Sequence, residues 1–332
     1  MIDRPLAAGK LPVTLLRDLL SGDTPPPPEL LLPPAIGEDA GVIQISGGAL
    51  IVAADPVTLT GSDVGAHAVM VNANDVAVMG ARPRWFLCIV LLPLGTTEAD
   101  VRALFHGLRV ALDSVGAVLV GGHTEVTASV TQPVVAGQML GLREDGHFVR
   151  TGGMQEGDVV LQVGPAPIEG AAVLAREARE RLVDVDTEII ERARDALRNP
   201  GISVVNPSLR ATELGANALH DPTEGGLSAG LFELAEASGV ALSVTAEAVL
   251  WFEPATVICK ALGADPWGVL ASGTLLAAFP KRYTHQAQAA LEADGYSVAA
   301  IAHAEAGIGV RRLDGLEFRR YERDELSRIL IA

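Results

Sequence analysis

Val71-Asn72-Ala73-Asn74-Asp75-Val76-Ala77-Val78-Met79-Gly80-Ala81 sets two amides and a carboxylate inside an otherwise apolar run. The surrounding segment, Gly65–Gly80, reads as a helix. Val69, Asn72, Val76 and Met79 recur at near-helical spacing, and Gly80 followed by Pro83 is the stop signal. Asn72 and Asp75 are three apart and share a face. Asparagine and aspartate lower helix propensity, so this group calls for a use that local structure does not supply.

Four further oxygen- and glycine-rich runs flank it: Gly37-Glu38-Asp39-Ala40; Asp55 at the end of a strand; Gly121-Gly122-His123-Thr124; and Asp221-Pro222-Thr223-Glu224-Gly225-Gly226. Each sits where a hydrophobic segment begins or ends, which is where α/β proteins present side chains to ligands. Together they read as a magnesium–nucleotide site assembled from several loops. Mg²⁺ takes hard oxygen ligands, typically one or two carboxylates plus substrate phosphates. Asp39, Asp55 and Asp75 are the candidate metal ligands. Taken singly, each also reads as a cap or turn residue: Asp39 in an Asx-type turn, Asp55 before Pro56, Asp75 on a polar helix face.

Gly121 and Gly122 permit close backbone approach to a phosphate, and Thr124 adds a hydroxyl. His123 reads either as a phosphate donor or proton shuttle, or as a solvated loop residue. Asp221 or Thr223 would cap the helix that follows, with Gly225 and Gly226 leaving its first N–H groups open to a ligand. The chain has no Gly-x-x-x-x-Gly-Lys-Ser/Thr and no Gly-x-Gly-x-x-Gly after a strand. Any nucleotide must therefore be held by carboxylates through bridging metal.

The 332 residues are 49% hydrophobic, enough for two domains with real cores. A net charge of −16 argues against nucleic-acid duplexes and anionic membranes as partners, and favours metal over arginine for neutralising phosphate. Cys88 and Cys259 lie in apolar surroundings and read as reduced, buried thiols. The opening residues do not resemble a signal peptide and no apolar run is long enough to span a membrane, so a soluble cytoplasmic protein is expected.

A short amphipathic helix around Leu11–Leu20 precedes a proline-rich loop over 21–36. Val42-Ile43 and Leu50–Ala54 read as a hairpin turning at Ser46-Gly47-Gly48. Trp85–Leu92 reads as a buried strand, Thr97-Glu98-Ala99-Asp100 as a helix start, Ala117–Val120 and Val130–Leu142 as strands. The change of texture between Gly152 and Gly157 divides the chain into domains 1–155 and 156–332. The second half reads as helices at Ala171–Leu182, Thr187–Leu197, Leu209–Leu219, Gly225–Ser238 and Lys281–Asp294. Its strands are expected at Val240–Val244, Thr274–Phe279, Tyr296–Ile301 and Ile308–Arg311, giving a two-domain α+β or α/β protein with a cleft between domains.

The ordered set of motifs resembles the aminoimidazole ribonucleotide synthetase-related (PurM-like) superfamily over nearly the whole chain. Within it the look is nearest to the hydrogenase-maturation factor HypE, through Asp-Pro-Thr-x-Gly-Gly-Leu at 221–227, Gly9-Lys10-Leu11-Pro12 and Leu262-Gly263-Ala264-Asp265-Pro266. The resemblance implies an N-terminal domain whose sheet closes a barrel across a homodimer, a C-terminal α/β domain, and ATP with Mg²⁺ in the groove between them. It carries over Asp39, Asp55 and Asp75 as metal ligands. Asn72, Gly121 and Gly122 carry over as phosphate neighbours and Asp221 as the contribution of the second domain; Asn74, Thr124, Thr223, Gly225 and Gly226 join them as nucleotide-binding candidates. The chain departs from HypE in ending Arg328-Ile329-Leu330-Ile331-Ala332 without the terminal cysteine, and in having Glu125 where HypE has lysine. It also has Ala271-Ser272-Gly273 where HypE has an acidic residue, and His123 where many relatives have aspartate. His123 and Glu125 are left as catalytic candidates. HypE and selenophosphate synthetase activities are not expected. The expectation is an ATP- and Mg²⁺-dependent phosphotransferase or ligase acting on a small molecule; the alternative is a nucleotide-binding accessory protein acting through a protein partner.

Overall fold

The computed structural model describes residues 11–20, 26–58, 63–321 and 323–330. Gly9, Lys10, the 21–25 part of the proline-rich loop, Ile331 and Ala332, which figure in the readings above, lie outside the described residues. The first half runs α1 (Val13–Leu20), β1 (Leu30–Leu32), β2 (Gly41–Ile45), β3 (Gly48–Ala53), β4 (Pro56–Val57), α2 (Val64–Val78), β5 (Pro83–Leu92), α3 (Glu98–Val115), β6 (Val118–Val126) and β7 (Val134–Arg143). The second half runs β8 (Asp158–Val163), α4 (Ile168–Glu177), α5 (Thr187–Asp195), α6 (Val205–Glu213), β9 (Ala218–His220), α7 (Gly226–Ser238), β10 (Ala241–Val244), α8 (Glu253–Leu262), β11 (Leu275–Pro280), α9 (Lys281–Ala293), β12 (Val298–Glu305), β13 (Gly309–Arg312) and α10 (Glu325–Leu330).

Two mixed sheets result. The first has the order β1-β2-β3-β7-β5-β6, with β4 also on β7; the second has the order β13-β10-β12-β8-β11-β9. Among the described residues neither sheet closes on itself into a barrel. Among the described residues no helix is long and apolar enough to cross a membrane. Both cysteines are buried and unbonded.

Several readings are corrected. The proline-rich stretch contains β1, because Glu29 to Leu32 is free of proline and Leu30 pairs opposite Ile43. Trp85–Leu92 is not buried on both faces. Phe86, Cys88, Val90 and Leu92 face the core while Ile89 is 43% exposed, because helices cover one side of the sheet only. Gly121 and Gly122 lie inside β6 instead of beyond it, paired with Leu87 and Cys88 of β5. The helix read over Leu209–Leu219 stops at Glu213, and after Gly215 turns with φ of +86° the chain becomes β9. Sequence patterning did not separate β8, α8 and α10 from their surroundings; β8 is buried at every position and so has no alternation to read.

Helix α3 follows its signal closely: Thr97 and Asp100 form the full capping box, and Gly116 ends it in the left-handed conformation. Helix α2 is the keystone between the halves. It is buried almost throughout, as expected of a helix apolar on all sides. One face lies on β7, where Gly137 and Gly141 make room. A Cβ at Gly137 would come within 2.5 Å of Asn72 Nδ2, and one at Gly141 within 2.5 Å of Val76 Cγ1. Its other face enters the second half. Val78 shares a core with Leu161, Val204 and Leu219, and Met70 and Val71 pack on Ile168, Ala172 and Ile202.

Candidate functional site

The α2 amides are fully engaged. Asn72 Oδ1 accepts from Asp55 N at 2.9 Å, and its Nδ2 donates to Asp55 O at 3.1 Å and Ala68 O at 2.8 Å. Gly137 N donates to the same Asp55 carbonyl at 3.0 Å. The main chain of Asp55 is thereby locked while its side chain remains exposed at the β3–β4 junction. Asn74 reaches the other half: its Nδ2 donates to Ile202 O at 2.9 Å and its Oδ1 accepts from Val204 N at 2.9 Å. His67, one helical face with Asn74, meets Glu169 of α4 at 2.6 Å. Burial works against the Glu169 carboxylate, but the attraction and hydrogen bond of His67 hold its pKa below the ordinary value. The tertiary use of the amides explains why a propensity argument finds no local reason for them.

A different environment surrounds three carboxylates. Asp39 accepts from Thr151 Oγ1 at 2.8 Å and contacts His220 Nδ1 at 3.0 Å, while His220 Nε2 lies 3.0 Å from Glu233 Oε2. Desolvation disfavours an imidazolium here, yet Asp39 and Glu233 overcome it and raise the His220 pKa well above its usual value. A carboxylate at each ring nitrogen favours the protonated imidazole. Glu38 beside Asp39 accepts from Arg150 Nη2 at 2.7 Å, so residues 38 and 39 are tied to residues 150 and 151 in succession.

Asp221 is 2% exposed, and neither of its carboxylate oxygens has a hydrogen-bond partner. Burial raises its pKa well above the usual value, and the charges of Asp39 and then Asp55 add to this against the opposing pull of His220. A buried, unpaired carboxylate beside like charges is costly unless a proton or a cation neutralises it. Among the described residues, no three His, Cys, Asp or Glu side chains converge closely enough to enclose an ion by themselves. A cation here would complete its shell with ligand or solvent oxygens.

Asp39 and Asp55 thus lie near enough to Asp221 for their charges to act on it. Asp75 is buried in α2 at 7% exposure. His123, Thr124 and Glu125 are exposed on β6, with His123 Nε2 3.4 Å from Glu125 Oε2. Gly122 has φ of +149°, and a Cβ there would lie 2.0 Å from Cys88 O, so this glycine serves strand pairing. Neither Asp221 nor Thr223 caps α7; the N-cap is Gly225, and its N–H donates to Asp324 at 2.7 Å. Thr223 uses its carbonyl to accept from Gly226 N at 3.0 Å. Sequence reasoning missed His220, Thr151 and Glu233. Of these only His220 had a visible signal, its place directly before Asp221.

Two open mixed sheets bridged by a buried helix define a two-domain mixed α/β architecture of the PurM-like kind. Residues 37–143 match the AIR synthase related protein N-terminal domain, and residues 155–313 match the AIR synthase related protein C-terminal domain. The chain belongs to the AIR synthase related family. It is 31% identical over 241 residues to the carbamoyl dehydratase HypE of Rhodobacter capsulatus, covering 72% of this chain and 68% of that protein. The structure of HypE in complex with ATP superposes with a TM-score of 0.71 at 23% identity, covering 87% of this chain and 90% of that one. ThiL complexed with AMPPCP and TMP gives a TM-score of 0.71 at 19% identity, covering 94% of both. At these identities the two structures establish the fold.

Proposed function

We propose that the acidic cluster binds ATP with Mg²⁺ and that the protein phosphorylates or otherwise activates a small molecule. The observation that carries this reading is Asp221, buried, unpartnered and flanked by Asp39 and Asp55. In this reading domain 1–155 supplies Asp39, Asp55 and Asp75, and domain 156–332 supplies Asp221. Bound Mg²⁺ would offset phosphate charge and polarise the γ-phosphoryl group. The chain's own residues prepare for this. Asn72 fixes the main chain of Asp55, Thr151 and His220 orient Asp39, and the protonated His220 keeps the cluster from carrying its full negative charge. The relatives solved with ATP and with AMPPCP support a nucleotide as the ligand.

The exposed apolar side chains of Val118, Leu119, Val120 and Val126 on β6, with Ile89 beside them, support a homodimer in which two such edges pair and close a barrel. The deciding experiment is calorimetric titration of ATP into the protein with Mg²⁺ and then with EDTA. Binding that requires Mg²⁺ is expected. No binding under either condition would overturn the reading.

A further inference from the structure

The N-cap amide of α7, at a turn expected to be open to a ligand, is closed by Asp324. Gly225 N donates to Asp324 Oδ2 at 2.7 Å across 99 residues, and Asp324 Oδ1 accepts from Leu326 N at 2.8 Å. Burial lifts the Asp324 pKa to about 6, against the pull of the Leu326, Gly225 and Leu270 amides.

Residues 318–321 and 323–330 are clamped at several points around this contact. Phe318 packs edge-on against Trp267 with centroids 5.0 Å apart, Arg319 O accepts from Ser228 Oγ at 2.5 Å, and the Tyr321 hydroxyl donates to Asp265. Asp265 N in turn donates to Glu325 Oε2 at 3.2 Å. The glycines fit these residues closely. A Cβ at Gly268 would lie 2.4 Å from the Tyr321 ring, and Gly225 and Gly226 both take positive φ, +84° and +68°. From Gly225 the constraint continues backwards. Gly226 N and Ala271 N both donate to Thr223 O, two residues from Asp221.

We propose that Asp324 is a positioning residue for the acidic cluster: by capping α7 it holds the Thr223–Gly225 turn and so sets where Asp221 is presented to the metal–nucleotide ligand. This rests on the reading of Asp221 as a metal-binding carboxylate.

The test compares wild type, Asp324→Ala and Asp324→Asn. Amide hydrogen exchange over 223–230 is followed without ligand, and ATP affinity is measured by calorimetry with Mg²⁺. Loss of a helix cap predicts a rise of about five- to tenfold in exchange for Asp324→Ala, with MgATP affinity weakened by a similar factor. Asp324→Asn keeps an acceptor for Gly225 N and is expected to stay within about twofold of wild type in exchange. Unchanged exchange in Asp324→Ala overturns the proposal. Raised exchange with unchanged MgATP affinity overturns its link to Asp221. If Asp324→Ala does not fold, an Asp324→Asn variant that exchanges as fast as an unstructured 223–230 segment overturns it, and one that stays protected supports it. If wild type binds no MgATP, the proposed function fails separately, and the exchange contrast alone decides whether Asp324 holds the turn.

Discussion

Asn72 and Asn74 of α2 and Asp221 of the acidic cluster are all buried polar groups, but they are treated in opposite ways. Asn72 and Asn74 have main-chain partners at both ends of their side chains, between 2.8 and 3.1 Å. Asp221 has none. Satisfied buried polar groups specify a structure, whereas an unsatisfied one is a standing cost that folding by itself does not explain. The comparison assigns the amides to architecture and supports the proposal that the carboxylate cluster meets a ligand.

The largest effect that would sharpen this contrast is expected from Asn72→Ala. It strands the Asp55 amide and opens a cavity against β7, costing about 2–4 kcal/mol in urea unfolding. A stability within error of wild type would show that Asn72 is not an architectural clasp. Next in size, saturating MgATP should raise stability by about 2.7 kcal/mol at a hundredfold excess over Kd, and EDTA should abolish the gain. Asp221→Asn should do the reverse of Asn72→Ala: it removes a buried like charge, so stability rises by roughly 1 kcal/mol while the MgATP-dependent gain disappears. Loss of stability in Asp221→Asn would place Asp221 with the amides and break the comparison.

The pH response separates the two regions further. The folded pKa of His220 is raised, so its contribution is fully present below its unfolded pKa near 6.5 and is lost as pH rises through the elevated folded value. Stability should therefore decline on the alkaline side, and His220→Gln should lack that decline. Asp324 is raised to about 6, so its contribution is present below about pH 4 and is lost as pH rises through about 6. Asp324→Asn should flatten the unfolding free energy across that interval; a slope identical to wild type would exclude Asp324 as its source. The smallest effect on folding, though not on assembly, is expected from Val120→Lys at the exposed edge. It should leave the fold intact and give monomers by light scattering if β6 is the dimer contact.

Local signals served well where the answer lay within a few residues. The capping box Thr97–Asp100, the hairpin at Ser46-Gly47-Gly48 and the limits of α2 were legible because neighbouring side chains and backbone torsions decide them. The same reading failed at Gly121-Gly122, where glycine serves a close strand contact with Cys88 instead of a loop. It failed also at β8, where complete burial erases the alternation that marks a strand.

What the sequence by itself determined was the set of oxygen-bearing runs, their order, and their position at the ends of apolar segments. That order identifies the family resemblance without any distance. Only the tertiary structure decided which of these residues are satisfied. The partners of Asn74 are 128 and 130 residues away, that of Gly225 is 99 away, and His220 lies 181 residues from Asp39. Whether a carboxylate is a cap, a clasp or an unpaired charge depends on burial and on what faces it, and those are set by long-range packing.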